Sequence, residues 1–349
     1  MAFTRHSHAI SMQAISMQVS PTRAAILLSA IAALASSYSL AEPDPFDPGF
    51  SGTISINIGF GQSQSQNNTH EDNEITADLT NQGKKLSQAS PFFLGRLQYS
   101  FGDTLVFLGN SEEQIAEAQF QAELGVAHRF NNAMILTAAL FGNVPSMEEV
   151  WRDPYLTGQK RQTTEQTVGG VRFAMDITSP LPISLKYAVA SSEVEYDDIG
   201  LSQGLTTEAR SQLKRASDYQ RFGAEISFPL SQSFVLSPAF YYTLRDADGD
   251  AKSNQLLTAQ MSFLVAQGRH SVITTLRNSS ASFDADNPVF SRKQDYESFG
   301  FFSVYSYADL WGWRNTQLNV MAGYQESDSD IDFYDSEEAF LSTGISYSF

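Results

Sequence analysis

The chain of 349 residues has no cysteine, so it can form neither a disulfide framework nor a thiolate-bound metal site. Positive charge is also in short supply: 22 Lys and Arg stand against 39 Asp and Glu, a formal net charge of −17. Such a surface repels nucleic acid and anionic head groups unless divalent cations intervene. Histidine is scarce, and past residue 41 no apolar run is long enough for a transmembrane helix. What the chain does have is 25 Phe and 14 Tyr at a mean hydropathy of −0.23. A barrel wall whose strands meet lipid with half of their residues needs that combination. A soluble β-sandwich is the competing class.

At the N-terminus, Arg23 precedes the apolar run Ala24–Leu34, which is too short to span a bilayer as a helix. Ser39-Leu40-Ala41 then supplies a small-x-small cleavage site. Residues 1–41 therefore read as a secretory signal peptide cut after Ala41, leaving 42–349 as one mature domain. The long stretch before the apolar run points to Met17 as the true translation start, and an uncleaved anchor helix is the alternative. Cleavage removes Arg5 and Arg23 and no acid, so the mature net charge becomes −19. Three histidines remain: His70, His128 and His270.

The end of the chain sets the pattern for the rest. Leu341, Thr343, Ile345, Tyr347 and Phe349 alternate with Ser342, Gly344, Ser346 and Ser348, the period of a strand. Tyr347 and the terminal Phe349 read as the strand that closes a cylinder and as the address for barrel-insertion machinery. Thirteen similar segments precede it, near 50–60, 93–101, 104–109, 119–130, 134–141, 170–176, 183–189, 221–228, 234–244, 259–265, 272–276, 299–307 and 318–324.

Short connections near 102–103, 131–132, 178–182, 229–233, 267–270 and 308–313 alternate with long ones. The long ones lie near 62–90, 110–116, 142–164, 193–217, 246–253, 278–294 and 326–337. The fold expected is all-β: a transmembrane antiparallel up-and-down barrel of about 14 strands, with short periplasmic turns and long outer loops. Twelve is the alternative count, because the third segment is short and Pro238 lacks a ladder donor. Segment 299–307 is apolar on both faces, so its register stays open.

Phe107-Leu-Gly109, Trp151-Arg-Asp-Pro-Tyr-Leu-Thr-Gly158, Asn287-Pro-Val-Phe290 and Ile331-Asp-Phe-Tyr-Asp335 resemble the patterns of a Gram-negative outer-membrane family catalogued as domain of unknown function 2860. The resemblance covers nearly the whole mature chain. It implies the barrel and the outer-membrane location, and it brings no ligand, reaction or catalytic residue.

Charge falls on one face of the segments. Arg96, Arg129, Arg172, Arg221, Arg245, Arg277, Lys186, Glu123, Asp176 and Glu225 all take the polar side, as residues of a wet lumen wall would. There they would select permeants by sign or pair with one another to stabilise the wall. The small inward positions, among them Gly125, Gly170, Gly223, Gly344 and Ser346, suggest an open lumen in which arginine at Gly125, Gly170 or Gly223 would be mild.

In the loops, Asp246, Asp248 and Asp250, and Asp328, Asp330 and Asp332, are oxygen-rich enough to take Ca²⁺ or Mg²⁺, against the simpler reading of solvated loops. Trp151, Arg152, Asp153 and Tyr155 point to a lumen constriction or an outer recognition patch, against an anchor at the membrane rim. No histidine is paired locally with a nucleophile, so no catalysis is expected, a hydrolase built from carboxylates being the minor alternative.

The function expected is a porin-like passive diffusion channel for small polar or charged solutes, with no cofactor. Its partners would be outer-membrane lipid, lipopolysaccharide and the insertion machinery, and not nucleic acid. The alternative is a non-conducting surface barrel that binds lipopolysaccharide or a partner through its loops.

Overall fold

The period-two pattern is realised as sixteen strands in a computed structural model that describes residues 44–110, 121–130, 133–143 and 149–349. They are β1 (Gly49–Gln64), β2 (Lys85–Ser100), β3 (Thr104–Asn110), β4 (Gln121–Phe130), β5 (Met134–Asn143), β6 (Glu149–Trp151), β7 (Thr163–Ile177) and β8 (Ile183–Val194). Then follow β9 (Ser217–Ile226), β10 (Phe228–Ser231), β11 (Phe234–Ala247), β12 (Asn254–Gln267), β13 (His270–Phe283), β14 (Tyr296–Ala308), β15 (Thr316–Ser329) and β16 (Ser336–Ser348).

Fourteen of them close a ring in which every neighbour is antiparallel. Beyond the ring, β6 pairs only with the outer part of β7, and β10 extends the path of β9 along β11 through a register shift. The short β3 pairs on both sides, and Pro238 sits opposite Met261 within the β11–β12 ladder. Fourteen is therefore the count, not twelve. The signal-peptide residues, the 110–116 loop beyond Asn110, Phe120 and the Asn131-Asn132 turn lie outside the described residues.

Closure is carried by the first and last strands. Ile54 pairs with Tyr347 and Ile56 with Ile345, while Gly52 and Phe349 exchange backbone hydrogen bonds of 2.9 and 3.0 Å. The alternation then assigns the faces. Ile56, Ile58, Phe93, Leu124, Leu140 and Phe240 are exposed on the outside, as a lipid-facing wall requires. Asn57, Glu123, Arg172, Ser237, Gln260 and Thr275 are buried on the inside.

An aromatic rim marks the short-turn end. Trp311 and Trp313 stand exposed with ring centroids 5.5 Å apart, and Tyr99–Phe101, His128–Phe130 and Tyr347–Phe349 pair nearby. A strand needs only about 9–11 residues to cross the hydrocarbon. The 16 residues of β1 and of β2 therefore stand clear of it at the long-loop end, where Gln62, Gln64 and Ser87 replace the apolar belt. Residues 62–64 and 85–90 of what reads from sequence as loop 62–90 are thus strand.

The small inward residues are not vacancies. A Cβ on Gly125 would lie 2.2 Å from Phe107 Cζ, one on Gly170 2.3 Å from the Val189 carbonyl oxygen, and one on Gly223 2.6 Å from the Tyr241 ring. Rings from adjacent strands lie flat in these recesses, so residue size alone does not measure the bore. The mild effect expected for arginine at Gly125, Gly170 and Gly223 is accordingly overturned by steric contact.

Two substitutions test this packing. Gly125→Ala should cost about 1–3 kcal/mol by overpacking, and Phe107→Ala in the same chain should return part of that loss. Leu124→Arg, one residue away on the lipid face, should cost about 2–4 kcal/mol near the midplane. Urea unfolding in lipid vesicles reads both, and a Gly125→Ala barrel as stable as the wild type would reject the recess.

Candidate functional site: the lumen wall and its cap

The polar face of the strands delivers the charged side chains to the lumen, and the structure shows what each one meets. Arg172 Nε on β7 donates to Glu123 Oε1 on β4 at 2.9 Å, reaching over the intervening β5, and both side chains are buried. Asp176 accepts from the Ser184 hydroxyl. Arg277 Nη2 donates to Gln260 Oε1 at 2.8 Å. Arg96 lies 3.9 Å over the Phe107 ring and Arg221 4.9 Å over Tyr241, so the rings that fill the glycine recesses also carry the guanidinium groups.

Arg245 sits higher on the wall, over Tyr219, and donates to Ser217 Oγ at 3.0 Å. Lys186 and Glu225 occupy the inner faces of β8 and β9, where Lys186 pairs in register with Gly223 and Ser184 with Glu225. The wall charges are thus engaged in contacts, which is the stabilising role weighed against selectivity.

Arg129 has a partner that sequence reasoning missed. It forms an ion pair with Asp44 and lies 4.6 Å over Phe46, which is buried among Leu105, Phe107, Ala127, Ile135 and Ala139. Ser100 Oγ donates to the Phe46 carbonyl at 2.8 Å. The segment from Asp44 to Phe46 is therefore tucked into the short-turn end of the lumen. Its signal was a single Phe set between two Asp-Pro pairs, Asp44-Pro45 and Asp47-Pro48.

At the other end the loops fold together. Tyr155 from the β6–β7 connection, Ile199 and Leu213 from β8–β9, Ala251 from β11–β12, and Ile331 and Phe333 from β15–β16 share one buried core. Leu79 of the β1–β2 loop and Val289 and Phe290 of β13–β14 pack against it. Six of the seven long connections meet there. Tyr155 touches Phe290, Phe333 and Tyr334, whose strands lie across the ring from β7. A contact between opposite sides of a ring must pass over its mouth, so these loops form a cap.

The Trp151–Gly158 segment is the keystone of this cap rather than a rim anchor. Trp151 Nε1 donates to the Gln66 carbonyl at 3.0 Å, and Arg152 pairs with Asp198. Asp153 accepts from the backbone N–H groups of Tyr155, Gly200 and Ser202. Arg161 lies 4.4 Å over the Trp151 ring and donates to carbonyls of Gln66, Asn73 and Pro154, a neutral cage in which burial pulls its pKa down to about 10.

Lys252 forms the centre. Its buried Nζ lies 2.9 Å from Tyr334 Oη and 3.0 Å from Gln294 Oε1, with no carboxylate in its shell of hydrogen bonds. Asn287 Nδ2 donates to Tyr155 Oη and Tyr334 Oη at 3.0 Å each, and the two hydroxyls share a short hydrogen bond. One hydroxyl proton is used between the tyrosines. Lys252 Nζ donates to Tyr334 Oη and to Gln294 Oε1, and at longer range to Tyr155 Oη. Burial first, and then repulsion from Arg245 and Arg215, hold Lys252 well below its ordinary pKa, while Asp197 pulls the other way. Burial also pushes the Tyr155 hydroxyl up to about 12.

The remaining sequence candidates do not assemble. Asp246, Asp248, Asp250, Asp328, Asp330 and Asp332 are all exposed, the first and fourth within strands β11 and β15. Among the described residues no three His, Asp or Glu side chains converge as metal ligands. His70 caps a turn by accepting from the Asp72 N–H, and His270 bonds Tyr305. His128 meets Thr104 Oγ1 at 2.7 Å, but on the lipid-facing side beside Phe130, away from the lumen.

The pH dependence of the cap follows from Lys252. Its folded pKa is depressed, so the cap is weakest below that pKa and gains stability as pH rises from it toward the ordinary 10.5. Acidification should therefore raise deuterium exchange at the Gly158 and Ala251 amides after correction for intrinsic rates, and Lys252→Met should flatten that rise. An identical pH profile in the variant would reject Lys252 as the titrating group.

Comparison with known proteins follows this geometry. No curated protein matches the chain by sequence. Among solved structures, a FadL homologue of Pseudomonas aeruginosa aligns at 8% identity and a TM-score of 0.45, covering 87% of this chain and 91% of its own. The outer-membrane channel DcaP of Acinetobacter baumannii aligns at 8% identity and 0.47, covering 86% and 96%. The toluene transporter TodX of Pseudomonas putida aligns at 9% identity and 0.41, covering 97% of each. A family model described as "Protein of unknown function (DUF2860)" matches residues 49–348, the whole ring from β1 to β16, and the chain belongs to that family.

Proposed function

We propose that this barrel is a diffusion channel of the bacterial outer membrane for small polar or charged solutes, gated at its outer mouth by the loop cap. The observation that carries the reading is the closed fourteen-strand wall that turns apolar residues to lipid and charged ones to the lumen. Charge on the inner face of a transmembrane wall is costly unless water or solute meets it. The short-turn end, where Asp44 and Phe349 lie, would face the periplasm and the cap would face the medium.

The cap makes the channel conditional. Solutes can pass the mouth only when the contacts of Tyr155 with Tyr334, Phe290 and Phe333 part. The Asn287 amide bridges both tyrosines and is fully buried, so its removal is the smallest change that loosens the crossing.

Planar-bilayer recording tests the proposal. The wild type should open rarely, and Asn287→Ala should raise the open fraction several-fold with unchanged unitary conductance. Selectivity should follow the wall pair. Glu123→Gln leaves Arg172 without its counter-charge and should move the reversal potential in a salt gradient toward anions, while Arg172→Gln should move it toward cations. Unmoved reversal potentials would reject this pair as a selectivity element. The dry core of the cap favours one other reading, a non-conducting barrel that displays its loops to lipopolysaccharide or a partner, and silence of both wild type and Asn287→Ala would support it.

A further inference from the structure

One inner quadrant of the lumen differs from the rest. On β2, β14, β15 and β16 the inward positions are Phe92 and Leu94, Phe302 and Val304, Met321, and Phe340. Phe302 and Phe340 stack with centroids 5.6 Å apart, and Phe340 fills the recess over Gly323. Phe92, Leu94, Val304 and Phe340 are only partly buried, so the patch presents apolar and aromatic surface toward the lumen.

A single carboxylate stands beside this patch. Glu338 lies two residues before Phe340 on the same inward face of β16, and its side chain is only 8% exposed. It makes no side-chain hydrogen bond or ion pair among the described residues, unlike Glu123, which is held by Arg172. The adjacent acids are otherwise committed: Glu337 pairs with Lys85, and Glu326 accepts from the Tyr324 hydroxyl. Along its register row Glu338 is flanked by Ser63 on β1 and by Gln325 and Gly300 on β15 and β14. The first cation in that row, Arg277 on β13, is three strands away, about 14 Å at the usual strand spacing, and it is engaged with Gln260.

A buried carboxylate without a partner either takes up a proton or needs something positive beside it, and an ammonium ion supplies that charge. A divalent cation is a poor match, because it asks for six or more oxygens and no group of three His, Asp or Glu side chains forms among the described residues. An organic ammonium asks for one carboxylate and benefits from aromatic faces around its carbon body. We infer that Glu338, with Phe92, Phe302 and Phe340, forms a lumen subsite for a primary amine carrying an aromatic or short aliphatic body. This rests on the barrel's lumen admitting small solutes, and it names their class: amphipathic organic cations.

The test is binding to the full mature chain in detergent micelles, with benzylammonium as the probe and benzyl alcohol and benzoate as the isosteric controls. Saturation-transfer NMR and calorimetry should show binding of benzylammonium and none, or at least tenfold weaker, of the two controls. Glu338→Gln should weaken the amine about tenfold or more, the equivalent of about 1.4 kcal/mol, and leave the benzyl alcohol signal unchanged. Phe340→Leu, which keeps the apolar volume and removes the ring, should weaken it less. Folding of each variant is checked by the heat-dependent shift of the barrel band on gels. Equal binding of amine and alcohol, or full affinity in a folded Glu338→Gln barrel, would overturn the subsite. Binding without bilayer conductance would instead retain the subsite and reject the channel. Conductance without amine binding would do the reverse.

Discussion

Hydrocarbon offers a peptide group no hydrogen-bond partner, so a chain that crosses a bilayer as strands must pair the first strand with the last. Everything else in this molecule depends on the seam between β1 and β16. Twelve residue pairs join the two strands from Thr53–Ser348 to Gln64–Glu337, and the terminal Phe349 adds its own backbone pair with Gly52 beyond them. Once the seam fixes the ring at fourteen strands, the pleat decides which side chains see lipid and which see the lumen. A slip of one residue at any ladder would turn Ile56 inward and Asn57 into hydrocarbon, which is why the register is strongly specified.

The ring also explains why the wall is built from glycine and aromatic residues together. Inward side chains on adjacent strands converge on a limited cross-section, so a large ring on one strand needs an empty position on the next. Phe107 over Gly125, Tyr241 over Gly223 and Phe340 over Gly323 are three solutions of the same kind. In the first two, an arginine, Arg96 or Arg221, covers the exposed ring face. The result is a lumen surface layered from backbone to aromatic ring to guanidinium, with its charge held at fixed positions.

Legibility in the sequence follows the range of each interaction. The dyads of Ile54, Ile56 and Ile58, and of Leu341, Ile345 and Tyr347, are local, so the fold and the faces could be read from them. The face of β14 could not, because Phe301 and Phe302 are both apolar and only the stacking of Phe302 on Phe340, 38 residues later, decides between them. The glycine recesses were misread as open space for the same reason: Gly125 is small, but the ring that occupies it belongs to the preceding strand. The strand ends were missed at Gln62, Gln64 and Gln88 because a strand beyond the membrane is wet on both faces and loses its alternation. The acidic loops were marked as candidate cation sites by composition, and their six aspartates are exposed.

The cap is the longest-range feature and was the least visible. Composition marked Trp151–Gly158 as unusual, since a purely solvated loop seldom carries Trp and Tyr, but nothing local could say that Tyr155 meets Asn287 and Tyr334, at separations of 132 and 179 residues. Each of the six loops is too small to bury a core alone. Their flanking strands place them around one ring, which makes the loop-closure entropy of their meeting far smaller than the sequence separation suggests. The seam that satisfies the backbone in hydrocarbon is therefore also what allows six loops to assemble over the mouth. Strain introduced in the wall should reach the cap through the strands that carry these loops, because the residues of its core are held in place by loops anchored at both ends in the wall.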